Sequence, residues 1–204
     1  MQPDKTVMIG HHHMPVEYSR YGASWGRGRH NIRNSFATVT FLPRIELMFR
    51  YTNLMGEKPI QRRGYFMDRM VAGRLLILKE SDHIPALLFG MHDPGNEAGF
   101  TANRYYGANY VVTSKAVQFR GFFTDLHLGY AFDLFDQPTE TFDGVFGGFS
   151  VTHSKLPQVE LMLEHDSFRI NAGAKILILK RIQILAGLIE LKRPAGGISY
   201  RHSF

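Results

Sequence analysis

The last residues of the chain alternate strictly. Ile198, Tyr200, His202 and Phe204 share one face of an extended strand, and Gly197, Ser199, Arg201 and Ser203 share the other. One face suits lipid and the membrane interface, the other a polar lumen, and the strand ends on an aromatic residue. Such an ending reads as the closing strand of an outer-membrane β-barrel, and Ile198, Tyr200 and Phe204 resemble the C-terminal assembly signal of such barrels. His202 is a weak substitute for an apolar residue there.

Composition narrows the choice of architecture. No stretch reaches the roughly 18 apolar residues of a spanning helix, because Ile176–Leu191 is cut by Lys180, Arg181 and Gln183. A chain of this kind in a membrane has to be a closed barrel, the other structure that satisfies its own backbone hydrogen bonds in lipid. With 16 Phe, 9 Tyr and 20 Gly it carries the aromatics and turn residues that barrels use. It has no cysteine, so disulfides, thiolate metal sites and a lipidated N-terminal cysteine are excluded for this sequence. The net charge is +6, with Lys and Arg dispersed rather than gathered into one stripe, which argues against nucleic acid as a partner. Met1–Lys5 shows no signal-peptide pattern, so an outer-membrane location implies that a signal was removed or lies outside this numbering.

Period-2 segments with their breakers predict an all-β, antiparallel up-and-down transmembrane barrel of about twelve strands, forming a single domain over 1–204. The expected spans are 5–14, 33–41, 45–53, 64–77, 84–92, 105–117, 123–132, 144–152, 158–165, 168–178, 182–190 and 197–204. Connections after even-numbered strands are short. Those after odd-numbered strands (15–32, 54–63, 93–104, 133–143 and 191–196) are longer, Asp166-Ser167 excepted. That asymmetry places both termini in the periplasm. Leu42-Pro43-Arg44-Ile45-Glu46-Leu47-Met48 recurs as Leu156-Pro157-Gln158-Val159-Glu160-Leu161-Met162, a reused hairpin.

Face parity predicts the lumen. Reversing the strand at Ile45, Leu47, Phe49 and Tyr51 would turn charges to lipid, at about 2–4 kcal/mol for a basic group at the midplane and less for an acidic one. The expected inward charges are Glu46, Asp68, Asp125, Glu160 and Glu164 with Arg50, Arg74, Lys115, Arg169, Lys175 and Arg201. Acids and bases nearly balance, so an ion-paired interior is expected rather than an open pore. A soluble barrel would bury the opposite face, and periodicity does not separate the two; the terminal aromatic and the loop lengths favour the membrane.

Few constellations suggest chemistry. His11 and His13 share a strand face but have no recognisable third ligand, so no metal site is expected. Asp125 with His127, and Glu160 with Glu164, could serve a hydrolase, but no nucleophile is placed beside them by any motif; no catalytic residue and no cofactor is assigned. Gly147-Gly148 and Gly196-Gly197 are strand kinks or turns rather than phosphate loops. In the first long loop Tyr18, Arg20, Tyr21, Trp25, Arg27 and Arg29 interleave aromatics with bases, a surface suited to acidic glycan or lipid phosphate.

The segments Ile45–Thr52, Asp68-Arg69, Leu75–Lys79, Ile84–Gly90 and Tyr110–Lys115 resemble the YjbH-type exopolysaccharide-associated outer-membrane proteins, over roughly residues 34–204. The resemblance implies a bacterial outer-membrane barrel linked to making or exporting an extracellular polysaccharide, and it supplies no catalytic residue. The expectation is therefore a non-enzymatic component of polysaccharide biosynthesis or export. Its partners would be outer-membrane lipid, an acidic polysaccharide or lipopolysaccharide, and other outer-membrane proteins. The alternative is an accessory or structural subunit of a larger outer-membrane secretion or uptake complex.

Overall fold

Alternation of apolar and polar residues, punctuated by Gly, Pro and Asp, resolves into strands throughout. The computed structural model describes residues 1–14, 30–56, 66–94, 107–132, 134 and 142–204. Those residues form twelve strands: β1 (Thr6–Met14), β2 (His30–Leu42), β3 (Ile45–Gly56), β4 (Phe66–Leu78), β5 (Ala86–His92), β6 (Ala108–Phe119), β7 (Phe122–Phe132), β8 (Gly144–His153), β9 (Leu156–His165), β10 (Ile170–Ile178), β11 (Ile182–Ile189) and β12 (Arg193–Ser203). Each strand pairs antiparallel with its sequence neighbours and β1 pairs with β12, closing the barrel. Closure removes every sheet edge.

The seam is continuous, from Thr6 opposite Ser203 to His13 opposite Gly196. Beyond the ladder, the backbone N–H of Phe204 donates to the carbonyl of Lys5 at 2.9 Å. Register shifts lie between Thr40 and Leu42, Leu76 and Leu78, and Thr152 and His153, all at the same end of the barrel. Both termini stand at the end of the barrel where the short turns 43–44, 120–121, 154–155 and 179–181 lie.

The register fixes the two faces. Outward positions carry Leu47, Phe49, Leu126, Leu128, Leu161, Ile176, Ile184 and Ile198, all exposed. Inward positions carry Thr6, Thr38, Thr40, Glu46, Thr52 and Ser199, all buried. A water-soluble barrel shows the reverse distribution.

One connection differs from expectation. The sequence predicts a longer connection over 191–196 before a strand at 197–204, yet β12 starts at Arg193 and the turn is tight. Glu190 and Leu191 take φ of 52° and 58°, and Lys192 N–H bonds the carbonyl of Ile189 at 3.1 Å. The β10–β11 turn repeats this with Leu179 and Lys180 at 51° and 61°. Left-handed conformations cost non-glycine residues roughly 1–2 kcal/mol each. Asn-Gly is the preferred pair where two consecutive turn residues are left-handed. Leu179→Asn combined with Lys180→Gly is therefore expected to stabilise the barrel by about 1 kcal/mol. A rise in the urea midpoint of the purified protein would show it; an unchanged or lower midpoint would mean that the turn carries no strain.

Candidate functional site

The barrel interior is the site, and its first element is a buried charge. Glu46 on β3 points inward and is 3% exposed, so its carboxylate has to be compensated. Its ladder partner Arg74 on β4 donates Nη1–H to Oε1 at 2.9 Å. Oε2 accepts from the backbone N–H of Gln2 at 2.7 Å and from the Thr40 hydroxyl at 3.3 Å. Arg74 also donates Nε–H to the Tyr110 hydroxyl at 3.1 Å. The knot joins β2, β3, β4 and β6, and it draws the N-terminal segment across the short-turn mouth.

Above this knot, towards the long-loop end, rings fill the β4–β8 side. His92, Tyr110, Phe142 and Phe146 form one cluster: Phe142 lies 4.4 Å from Phe146 and 5.5 Å edge-on from Tyr110, while His92 is 5.1 Å from Tyr110. Glycines on neighbouring strands make room. Gly90 pairs directly with Tyr110 and Gly129 with Phe146, and in each case an added Cβ would fall within the ring. The other side of the barrel repeats the device with Gly10 under Phe36 and Gly197 under His12. Inward glycine covered by the ring opposite packs an aromatic flat against the wall.

Between β9–β12 and β1–β2 the interior stays open. A cavity of about 550 Å³ runs from the Asp166–Arg169 turn down to Met8 and Gln183. Gly173, Gly187 and Ala195 occupy one ladder row of small inward residues that creates this space. Its walls mix Met14, Ile32, Phe36 and Met162 with Asn34 and Glu164. Lys175 bonds Glu160 at 2.6 Å, so the two charges neutralise each other beside the cavity. At its rim Asn171 donates to Glu164 at 3.2 Å and Asp166 at 3.0 Å, and Arg169 Nε lies 3.3 Å from Glu190. Asp166 Oδ1 accepts the backbone N–H groups of Phe168 and Arg169, fixing the turn. Apolar walls with a few convergent polar groups suit binding of a ligand.

Comparison with known proteins bears on this geometry. The family model described as "YjbH: Exopolysaccharide biosynthesis protein YbjH" matches residues 22–167. The chain belongs to this family. No curated protein matches it. The YjbH match runs through β2–β9 and so includes the Glu46–Arg74 knot and the aromatic cluster.

Within this YjbH-family barrel, the residues expected to face the lumen are distributed as follows. Glu46, Arg50, Arg74, Asp125, Glu160, Glu164, Lys175 and Arg201 occupy inward register positions. The contacts described above join Glu46 to Arg74 and Glu160 to Lys175. Arg201 reaches the carbonyl of Lys180 at 3.4 Å, at the short-turn end. Arg169 stands in the turn at the cavity rim rather than on a strand. Asp68 pairs with Thr52 in the ladder, and its side chain lies outside the described residues.

Lys115 is a correction. Tyr110 and Ser114 face inward, so Lys115 faces outward, where its ammonium snorkels to Glu80 at 3.3 Å and to the carbonyls of Ser81 and Asp82. The Ala116 N–H hydrogen bond, helped by Lys115, holds the Glu80 carboxyl below its usual range.

Ile198, Tyr200 and Phe204 lie on the outward face, with Phe204 78% exposed. Tyr18, Arg20, Tyr21, Trp25, Arg27 and Arg29 lie outside the described residues. His11 and His13 point outward and His12 inward; among the described residues no group of three or more His, Asp or Glu is placed to hold a metal.

Sequence reasoning missed Tyr110, His92, Phe142, Phe146 and Asn171. It also missed Ser114, whose hydroxyl lies 2.8 Å from His127 Nδ1 on the inward face. Asp125 does not hydrogen-bond that imidazole among the described residues, so no Ser–His–Asp relay is assembled.

Proposed function

We propose that this YjbH-family barrel resides in the bacterial outer membrane and acts without catalysis in the assembly or export of an extracellular polysaccharide. The observation that carries the location is the inverted face distribution: Phe49, Leu161 and Ile176 outward, Glu46, Glu160 and Lys175 inward. Water outside such a barrel would face a broad apolar belt, whereas lipid covers it at little cost. The role in polysaccharide handling rests on the family match.

The interior supports holding a chain segment rather than conducting solutes. Rings and the Glu46–Arg74 knot fill one side, leaving a cavity on the other. Its occupant in this reading is part of an acidic glycan or lipopolysaccharide, and lipid and other outer-membrane proteins are the remaining partners. An accessory role in a larger secretion complex is the competing outcome.

Cell fractionation and cysteine labelling test the placement. Lys192→Cys, at the long-loop end, should react with a membrane-impermeant reagent on intact cells, and Lys155→Cys, at the opposite end, should react after the outer membrane is opened. Labelling of Lys155→Cys alone on intact cells would reverse the topology, and recovery of the protein in the soluble fraction would end the membrane reading. Deleting the gene should reduce cell-surface polysaccharide. Unchanged polysaccharide with loss of a co-purifying secretion complex would favour the accessory role.

A further inference from the structure

The apolar belt is notched on one side. On β10 the outward positions Ile170, Ala172, Ala174, Ile176 and Ile178 are apolar from end to end. On β1 the sequence of outward positions is Val7, Ile9, His11, His13, and on β2 it is Val39, Ala37, Ser35, Arg33, Asn31. The long-loop half of both strands is therefore polar.

Register gathers these residues. His11, Ser35, Tyr51 and Arg69 form one ladder row across β1–β4, and His13, Arg33 and Asn53 form the next. His11, His13, Arg33, Ser35 and Arg69 are exposed, and His11 Nδ1 lies 3.1 Å from the Ser35 hydroxyl. No outward position described on β1–β4 carries a carboxylate.

The same rows continue across the seam as an apolar furrow. His11 pairs with Ile198 and Ile198 with Ile184, while Gly196, which stands opposite His13, pairs with Ala186, and Ala186 with Ala174. Small side chains at Ala174, Ala186 and Gly196 leave a shallow track beside the cationic patch.

Resting on the outer-membrane reading, we infer that Arg33 and Arg69, with His11, His13 and Ser35, bind the phosphate of a phosphorylated lipid in the leaflet at the long-loop side. An acyl chain of the same lipid lies in the Ala174–Ala186–Gly196 furrow. Hydrocarbon cannot solvate these polar groups, so headgroups are drawn down to them. Two guanidiniums with no carboxylate at the described outward positions around them select an anion, and a phosphate provides acceptors for both. The furrow selects a lipid over a free anion.

The test uses the full-length protein in phosphatidylcholine nanodiscs supplied with bisphosphorylated lipid A or its dephosphorylated form, with retained lipid read by native mass spectrometry. Wild type should retain the phosphorylated lipid about tenfold more than the dephosphorylated one, the discrimination expected of a charge-assisted contact. Arg33→Gln with Arg69→Gln should lose that preference, Arg33→Lys with Arg69→Lys should keep most of it, and the control Lys155→Gln with Lys192→Gln should keep all of it. Heat-dependent gel migration checks that each variant is folded.

Equal retention by wild type and the double Gln variant would overturn the inference. Full competition by inorganic phosphate would assign the site to a free anion. A protein cross-linked through His13→Cys in place of lipid would assign the patch to a subunit interface. A barrel that inserts but does not discriminate fails this inference alone, whereas one that does not insert fails the outer-membrane reading as well.

Discussion

Glu46→Ala is expected to cost the folded barrel about 3 kcal/mol, towards the lower end of the range for breaking a buried ion pair. The substitution leaves Arg74 without its carboxylate, and it also strands the Gln2 N–H and the Thr40 hydroxyl, which both donate to Oε2. The Arg74 side chain is 36% exposed and keeps Tyr110 as a partner, which softens the loss. Glu46→Gln should fall between wild type and Glu46→Ala, since an amide oxygen still accepts but carries no charge. Glu46→Leu with Arg74→Met should be more stable than Glu46→Ala but less stable than wild type, because replacing both partners removes the uncompensated charge while the Gln2 N–H and the Thr40 hydroxyl still lose their acceptor. Urea unfolding in lipid vesicles gives these values. If Glu46→Ala alone unfolded at the wild-type midpoint, the carboxylate would contribute nothing to the barrel.

The strands were legible because the outer surface and the lumen of the barrel carry opposite chemistry on alternate residues, and a period of two survives without knowledge of neighbours. Ile45–Tyr51 and Val159–Leu163 have one clean apolar face, so their phase was fixed by the strand itself. β6 is different. Its faces read Tyr110, Val112, Ser114, Ala116 and Val111, Thr113, Lys115, Val117, and neither is clearly polar. Parity carried over from the other strands puts Lys115 inward, but with two such similar faces it does not fix the phase of β6, and a lysine at a strand end can reach the turn instead. Likewise the segment 191–196 reads locally as a loop, but its small residues Ala195 and Gly196 are part of the strand and line the cavity.

Charge content of the interior was legible from parity, as with Glu46 opposite Arg74 and Glu160 opposite Lys175. What stayed hidden depends on pairs remote in sequence. Nothing in the local sequence of Gly129 shows that Phe146 covers it, and Gly197 meets His12 through the seam that joins the two ends of the chain. The notch on β1–β2 was hidden for the same reason. His11, Ser35 and Arg69 become neighbours after the register is known, and each alone is an ordinary polar residue on a strand.

Gly197→Val is expected to abolish closure. At this position a Cβ would lie 2.7 Å from the His11 carbonyl oxygen as well as within the His12 ring. The ring can rotate away, but the carbonyl belongs to the β1 backbone and is held in the seam. Gly90 offers the contrast, because an added Cβ there meets the Tyr110 ring and hydroxyl, with no backbone atom among its three nearest neighbours. Gly90→Ala combined with Tyr110→Ala should therefore fold, while Gly197→Ala combined with His12→Ala should remain impaired. In the proposed membrane setting an unclosed seam exposes N–H and C=O groups that lipid cannot satisfy, so a local overlap of a few tenths of an ångström becomes a failure of the whole barrel. The fraction of protein migrating as the compact, heat-modifiable species should fall at least about tenfold for Gly197→Val, equivalent to more than ~1.4 kcal/mol. Wild-type levels of the compact species would show that β1 can shift to admit the side chain, and that the seam tolerates slippage its register does not suggest.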